Sequence, residues 1–298
     1  MKNKMKLKDA LTMFLQTRRF DSLSKSTRVN YESCLASICR MSPYGKNLGD
    51  MYVDRINIGI CTEMYDTWEA ETSTANANQR ARVFSVLMNY LINQEILDRN
   101  PMARVNKRSS EPRSVIWTHD QVLSFLDTAF TKFAWRNIGL IIMMCYEWGQ
   151  RPVDIRHLTW DDVDLDNEIV TITQSKRGAE VILPIPPNLV AMLKQQAEDW
   201  DFQNYVVPHQ RASDEAYRPL TVHQMSTLLN EVKAVAKLPD ELRAGDLRKT
   251  AIVQMIEGEV DQLAIMNVTG HKSVASLNPY NKFNLKTATS ALERRQRE

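Results

Sequence analysis

Five side chains in the second half of the sequence have the types that an attack on a phosphate group needs. They are two arginines, a lysine, a histidine and a tyrosine: Arg151, Lys176, Arg248, His271 and Tyr280. Arg151 follows a predicted helix end, and Lys176 stands at the tip of a predicted hairpin, where its long side chain can reach into a cleft. Arg248 opens a predicted helix, whose positive dipole end favours anions. His271 precedes Tyr280 by nine residues.

Phosphoryl transfer on DNA makes three demands on a protein. The phosphodiester must be attacked in line, the negative charge that develops must be neutralised, and the departing oxygen must receive a proton. Guanidinium groups can clamp the nonbridging oxygens without a metal ion, because arginine stays charged and its fork matches phosphate geometry. A nucleophile and an acid complete the set. These residue types would suffice for such a reaction, and we expect it to need no metal and no nucleotide cofactor.

The elements that must position these residues are mostly helices, as apolar residues at helical spacing indicate. In the second half, a helix starts at Thr118, and others are predicted over 137–148, 187–200, 221–237, 247–257, 261–268 and 285–298. Alternating β-branched residues around a Gly-containing turn predict a hairpin over 168–173 and 179–185. This hairpin is the only β structure that the pattern indicates.

The first hundred residues have the pattern of a small helical bundle. Helices are predicted over 7–14, 27–39, 57–72 and 73–94, with Ser24 or Ser26 as the N-cap of the second. A basic, polar stretch with a proline at position 112 then interrupts the pattern. We therefore predict a helical domain over 1–103, a linker over 104–114 and a second domain over 115–298.

The order and spacing of these segments resemble the tyrosine recombinase, or phage integrase, family over nearly the whole chain. "WGQRPVDIRHLTWDDVD" resembles the first arginine box, with Asp154 three positions after the arginine, and "TQSKRGAEVILPI" resembles the catalytic-lysine hairpin. "AGDLRKTAIVQMIEGEVDQLAIMNVTGHKSVASLNPY" resembles the segment with the second arginine, the Gly-His pair and the tyrosine. "STANANQRARVFSVLMNYLINQEILDRNP" is similar to the last helix of the core-binding domain.

The resemblance implies a mainly α fold, with an N-terminal helical core-binding domain and an α-rich catalytic domain that carries a small antiparallel sheet. It also implies the roles of the five residues. Arg151 and Arg248 would bind the scissile phosphate, Lys176 would protonate the leaving 5′-hydroxyl, and His271 would contact a nonbridging oxygen or position the tyrosine. Tyr280 would attack and leave a 3′-phosphotyrosine, so rejoining would need no ATP.

One position departs from the family pattern. The family usually has a histidine three residues before the second arginine, where it acts on the tyrosine proton, and this sequence has Gly245. Glycine cannot transfer a proton. Either Lys249 or a water takes over, or the tyrosine loses its proton late, or the enzyme is slow.

Contacts to DNA outside the five residues are expected mainly at helix starts, with phosphate contacts supplying most of the affinity. The predicted DNA-contacting residues are Lys25, Thr27, Arg28, Asn78, Arg80 and Lys249. The implied partners are double-stranded DNA, further copies in a homotetramer on two DNA sites, and accessory DNA-bending or directionality proteins. The helices begin at about residue 7, so we expect the minimal two-domain type without an arm-binding domain.

Composition sets the remaining expectations. Lys and Arg total 38 and Asp and Glu 36, so a net charge of +2 requires any DNA-binding surface to be local. The four cysteines lie in apolar helical patterns without metal-ligand spacing, as reduced core residues do. With neither a signal-peptide pattern nor an apolar run long enough for a membrane span, we expect a cytoplasmic protein without membrane contact.

Three functions fit this pattern. The first is a site-specific recombinase or integrase, as in a phage or mobile element, which acts on two duplexes through a Holliday junction. The second is a catalytically disabled DNA-binding regulator on the same fold, for which Gly245 is the hint. The third is a type IB topoisomerase, which uses nearly the same residues but relaxes supercoils as a monomer. The predicted core-binding helices favour the recombinase.

Overall fold

The protein consists of two compact units, residues 1–113 and 114–298, in a computed structural model. The structure describes residues 4–176, 178–200, 203–209 and 216–280, together with residues 289, 292 and 293. The division between the units falls at the C-terminal end of the segment predicted as a linker, so residues 104–113 belong to the first unit.

The first unit is a bundle of helices around one apolar core. Its helices are α1 (Leu7–Leu15), α2 (Arg18–Asp21), α3 (Lys25–Arg40), α4 (Ile58–Glu71) and α5 (Thr74–Asn93). Side-chain caps set several helix starts: Ser24 accepts from the Thr27 N–H and Ser73 from the Asn76 N–H. The ring of Phe14 packs in this core. The four helices predicted here are confirmed, with Ser24 as the cap.

The short helix α2 was not predicted. It has four residues, Arg18–Asp21, and is capped by Thr17, whose side chain accepts from the Phe20 N–H. One turn is too short to show a helical period in the sequence. It seats Phe20 in the core, where the Phe20 ring centroid lies 5.5 Å from that of Phe14.

The second unit is built around a buried helix. Its helices are α6 (His119–Ala129), α7 (Phe133–Trp148), α8 (Pro152–Ile155), α9 (Pro187–Asp199), α10 (Val222–Val235), α11 (Asp246–Glu257) and α12 (Gln262–Thr269). Helix α7 is apolar on nearly all sides and packs against α6, α8, α10 and α11. It begins at Phe133 rather than at Asn137 as predicted, because Lys132 makes no side-chain cap that could mark the start.

The predicted hairpin is present, but it is not the only β structure. Strands β2 (Ile169–Thr173) and β3 (Glu180–Pro184) pair antiparallel, with Thr171 opposite Ile182, and β1 (Val163–Asp164) adds a third strand beside β2. A separate pair joins β4 (Pro208–His209) to β5 (Arg218–Pro219). The prediction of a single hairpin was wrong because two-residue strands carry no alternation that a sequence pattern could reveal.

The C-terminal helix predicted over 285–298 lies outside the described residues, apart from positions 289, 292 and 293. Across the described ranges, no helix combines the length and the apolar character that a bilayer crossing requires. The mainly α fold with a small antiparallel sheet, predicted from the sequence, is confirmed.

A matched pair of leucine substitutions tests where the core of the second unit lies. Leu140 on α7 is 1% exposed, whereas Leu123 on α6 is 45% exposed. We expect Leu140→Ala to lower the free energy of unfolding by about 2–5 kcal/mol, because it leaves a cavity. Leu123→Ala should cost under about 1 kcal/mol. Urea unfolding measures both, and equal losses would contradict this placement of the core.

Candidate active site

The end of helix α7 places Arg151. The helix stops after Trp148 because Gly149 takes a left-handed conformation, with φ +60°. A short segment then leads to Arg151, which is the N-cap of α8, and Pro152 occupies the first helical position. The Arg151 side chain is 25% exposed, so its guanidinium lies at the edge between interior and solvent.

Arg248 lies in the first turn of α11 and is only 6% exposed. Its guanidinium donates to the carbonyl oxygen of Gly149 at 3.1 Å and to that of Thr269 at 2.6 Å. It also donates to Oε1 of Gln150 at 3.4 Å. These acceptors hold the cation at the junction of α7, α11 and α12, which the chain brings together from three distant segments.

Asp154 connects the first arginine to the hairpin. One of its carboxylate oxygens accepts from the Ser175 N–H at 2.9 Å and from the Ser175 hydroxyl at 2.5 Å. The other lies 3.6 Å from a guanidinium nitrogen of Arg151. Asp154 is buried, and its charge adds to burial in raising the pKa of the Cys145 thiol behind it. The tip of the hairpin that carries Lys176 is thereby fixed to the segment that carries Arg151.

Helix α12 and the residues after it place the histidine. The helix ends at Thr269, and Gly270 takes a left-handed conformation with φ +67°. The Thr269 hydroxyl donates to the Ile265 carbonyl oxygen at 2.6 Å and lies 2.6 Å from Nδ1 of His271. The Thr269 hydroxyl has one proton and donates it to the Ile265 carbonyl oxygen. Its oxygen must therefore accept a hydrogen bond from the Nδ1–H of His271. Nε2 is then the nitrogen on the opposite side of the His271 ring.

Tyr280 lies beside this histidine. The ring centroids of His271 and Tyr280 are 6.2 Å apart in an edge-to-face arrangement. Tyr280 is partly buried against a small apolar cluster built on Ile252, Ile265 and Leu277. The tyrosine is therefore held at the margin of the protein interior and not enclosed within it.

The remaining predicted residues of this region sit at its edges. Lys176 is exposed at the hairpin tip, and Lys249 is partly exposed beside Arg248 on α11. Gly245 is exposed at the start of α11, and a Cβ atom built on it meets nothing within 4 Å. A larger side chain would therefore fit at this position.

Three polar residues of the site were missed by sequence reasoning: Gln150, Gln174 and Thr269. All are fully buried, and each lies inside a segment that was recognised, without being singled out there. Gln150 precedes Arg151, and Gln174 closely precedes Lys176. A polar residue next to a recognised motif was the available signal, although it does not reveal burial. Within the described ranges, no group of three or more His, Cys, Asp or Glu side chains could hold a metal ion.

The arrangement favours an anion. Two guanidinium groups are linked through buried amides, the first turn of α11 carries one of them, and an imidazole and a phenol lie near the second. Cations and a helix start that converge on one place suit a phosphate group. The structure thus connects Arg151, Arg248, His271 and Tyr280, while Lys176 lies on the hairpin that Asp154 ties to the same place.

Three predicted DNA contacts lie in the first turn of α3. Lys25 is exposed, whereas Thr27 and Arg28 are partly buried. The Oγ atoms of Ser24 and Thr27 are 2.8 Å apart, so the cap of the helix engages the Thr27 hydroxyl. Contact of these residues with DNA stays a prediction.

Asn78 and Arg80, on α5, are both partly buried. Oδ1 of Asn78 accepts from the Tyr65 hydroxyl at 2.9 Å, and its amide donates to the Arg108 carbonyl oxygen at 2.9 Å. The Arg108 N–H in turn donates to the Tyr65 hydroxyl at 2.9 Å, and the Arg108 guanidinium pairs with Glu69. Asn78 therefore holds the start of the basic segment against the bundle, and DNA contact by Asn78 or Arg80 stays a prediction.

Comparison with known proteins identifies the family. The model of the phage integrase family matches residues 116–286, more than half of the chain, and the chain belongs to this family. It is 24% identical over 157 residues to the tyrosine recombinase XerA of Thermococcus onnurineus, a match that covers 52% of this chain and 54% of the relative. The chain thus spans about half the length of the curated relatives it matches.

Solved structures share the fold over nearly the whole chain. A lambda integrase dimer bound to a COC′ core site has a TM-score of 0.77 at 18% identity and covers 95% of this chain and 80% of that one. The lambda integrase tetramer bound to a Holliday junction has a TM-score of 0.76 at the same identity and coverage. The Tn1549 transposon integrase in complex with a circular intermediate DNA has a TM-score of 0.76 at 16% identity and covers 97% of this chain and 99% of that one.

Two glycine substitutions test how closely the loop of His271 packs on the site. Gly270 and Gly178 both have left-handed backbones, but a Cβ at Gly270 would lie 2.6 Å from Nε2 of Gln174, whereas a Cβ at Gly178 meets nothing within 4 Å. We expect Gly178→Ala to cost about 1–2 kcal/mol of unfolding free energy from backbone strain alone. Gly270→Ala should cost more than about 3 kcal/mol, because strain and a clash add. Chemical denaturation measures both, and similar losses would show that the loop does not press on Gln174.

Proposed function

We propose that this chain is a site-specific DNA recombinase that cuts and rejoins DNA strands through a covalent link to Tyr280. The observation that carries the proposal is the chain of hydrogen bonds from Arg151 through buried amides to Arg248, which brings two guanidinium groups from distant segments to one site. Membership of the phage integrase family supports it further.

The proposed reaction is an exchange of phosphate esters. The Tyr280 phenol gives its proton to a water or to Lys249 in its neutral form, its oxygen forms a bond to the scissile phosphorus, and the bond from that phosphorus to the 5′-oxygen breaks. Lys176 gives its proton to the 5′-oxygen, while Arg151 and Arg248 neutralise the charge on the nonbridging oxygens. His271 presents Nε2 toward the phosphate or the tyrosine. Rejoining runs the same steps in reverse, so the energy of the ester bond is kept and no ATP is used.

The proposed partners follow from this reaction. Double-stranded DNA is the substrate, and exchange between two duplexes brings four copies together, in keeping with the lambda integrase tetramer on a Holliday junction. Lys25, Thr27, Arg28 and Arg80 in the first unit and Lys249 in the second would add phosphate contacts. The side-chain amide of Asn78 has two N–H groups. One donates to the Arg108 carbonyl oxygen, and the other would contact DNA. We place the protein in the cytoplasm, where its substrate is found, and expect accessory DNA-bending proteins.

The two alternative functions fit fewer observations. A disabled regulator has no need to keep two arginines, a histidine and a tyrosine connected, and Gly245 is the one position that favours it. A type IB topoisomerase acts as a monomer, whereas solved integrases share the fold over nearly the whole of this chain, the first unit included. Covalent capture on DNA separates the regulator from the enzyme.

Covalent capture tests the nucleophile. We expect the protein, mixed with a nicked suicide form of the DNA that crosslinks to it in cells, to form a protein–DNA adduct that withstands denaturing electrophoresis. Tyr280→Phe should abolish the adduct, because the phenol beside His271 is the proposed nucleophile. Tyr146→Phe is the matched control, since the Tyr146 hydroxyl lies 3.2 Å from Nδ1 of His119 and 3.4 Å from Nε2 of Gln254. An adduct that survives Tyr280→Phe would overturn the assignment, and no adduct with the unchanged protein would favour the regulator.

Restoring the histidine tests the missing proton acceptor. A Cβ at Gly245 meets nothing within 4 Å and its backbone is helical, so Gly245→His should fold normally. We expect adduct formation to quicken by at least about tenfold, because a positioned base contributes about 10²–10⁴-fold. Gly245→Ala, the control for the added side chain, should stay within about twofold of the original rate. A histidine variant no faster than the alanine variant would assign the proton step to another group, with Lys249→Met as the next substitution.

A further inference from the structure

Two fully buried glutamines lie between the arginines. Oε1 of Gln174 accepts from Arg151 at 3.3 Å, and Nε2 of Gln174 donates to Oε1 of Gln150 at 2.8 Å. The same Oε1 of Gln150 accepts from Arg248 at 3.4 Å. Both glutamines are 0% exposed, so the path from one guanidinium to the other runs through the protein interior.

The orientation of each amide is fixed by its partners. Nε2 of Gln150 donates to the carbonyl oxygens of Trp148 and Val268, at 3.0 and 2.6 Å. Since a carbonyl only accepts and a guanidinium only donates, the amide nitrogen must face the carbonyls and the amide oxygen must face Arg248. Every acceptor and donor along the path then has a matching partner.

Gln174 is held in the same way. Its Nε2 donates to the Thr269 carbonyl oxygen at 2.8 Å as well as to Gln150, so its oxygen is turned to Arg151. The Thr269 carbonyl also accepts from Arg248 at 2.6 Å. A ring of hydrogen bonds therefore joins Gln150, Gln174, Thr269 and Arg248, and Arg151 is attached to it at one point.

We propose that Gln150 and Gln174 are positioning residues that set the distance and direction of the two guanidiniums for one phosphate. This inference rests on the proposed function. Glutamine suits both places because an amide offers an acceptor to an arginine and two donors to carbonyls at once. A glutamate at position 174 would turn a carboxylate oxygen toward the Thr269 carbonyl and Gln150 Oε1, where two acceptors would repel.

Methionine substitutions test the pair. Gln174→Met and Gln150→Met keep the side-chain length and remove the amide. We expect each to slow covalent adduct formation at saturating DNA by about 10–100-fold, because small displacements of positioning groups cost up to about 10²-fold in rate. DNA affinity should stay within about twofold, since most phosphate contacts lie elsewhere. Gln174→Glu should be at least as slow as Gln174→Met.

Gln196→Met is the matched control. Gln196 is also a buried glutamine of the second unit, 1% exposed, and its Nε2 donates to Asn137 Oδ1 and the Val206 carbonyl oxygen, away from the arginines. It should lower the urea midpoint as much as Gln174→Met while leaving the rate within about twofold of the original. If all three methionine variants slowed adduct formation equally, Gln150 and Gln174 would act only as core residues, and the inference would be overturned.

A double-mutant cycle separates positioning from stability. Gln174→Met added to Arg151→Ala, followed over hours in a single turnover, should slow the reaction by clearly less than Gln174→Met alone, because Arg151, the arginine that Gln174 contacts directly, is gone. An undiminished effect of Gln174→Met in that background would overturn the inference for Gln174.

Inorganic phosphate gives a readout that needs no catalysis. Titration of phosphate, followed by the NMR signals of the arginine side-chain N–H groups, should show binding in the original protein and at least about threefold weaker binding in Gln174→Met. Gln196→Met should bind phosphate unchanged. Unchanged phosphate affinity in Gln174→Met would overturn the inference, whereas weaker binding together with a lack of any DNA adduct would uphold it and contradict the proposed recombination.

Discussion

Arg248 is a buried cation, and the surrounding segments of the second unit are arranged to satisfy it. A guanidinium cannot lose its proton in a protein, so a 6% exposed arginine requires acceptors in fixed places. The chain supplies them by ending two helices at the same spot: the carbonyl oxygens of Gly149 and Thr269, at the ends of α7 and α12, both face Arg248. Those two helix ends are followed by Arg151 and His271, so satisfying one buried cation also brings the other site residues together.

Apolar packing positions the elements of the site, and polar contacts orient its side chains. The apolar helix α7 fixes the middle of the unit, α11 packs against it, and the sheet contributes to the same apolar core. Hydrogen bonds through Asp154, Gln150 and Gln174 then set the directions of side chains that apolar packing leaves undetermined. Tyr280 packs on the small apolar cluster that includes Leu277, and its ring lies beside that of His271. A tyrosine at such a margin can approach DNA without unfolding the core.

The sequence predicted the helices with clear periods and the hairpin, because those features are local, and the five candidate site residues lie in recognisable segments, although their roles stay a prediction. It missed α2 and the two-residue strands, which are too short to show a period. It also missed Gln150, Gln174 and Thr269, since their importance comes from long-range contacts: Gln174 meets Thr269 across 95 positions. Gly245 was read from the sequence, but the open space beside it is known only from the structure.

In the proposed reaction, two arginines from distant segments act on one phosphate while Tyr280 attacks it. A crystal structure of the protein on cleaved DNA, with vanadate in place of the scissile phosphate, tests this arrangement. We expect one vanadium atom bonded to the Tyr280 oxygen, with Arg151 and Arg248 both donating to its nonbridging oxygens at about 2.7–3.0 Å. A vanadate held by one arginine alone, or bonded to a residue other than Tyr280, would contradict it.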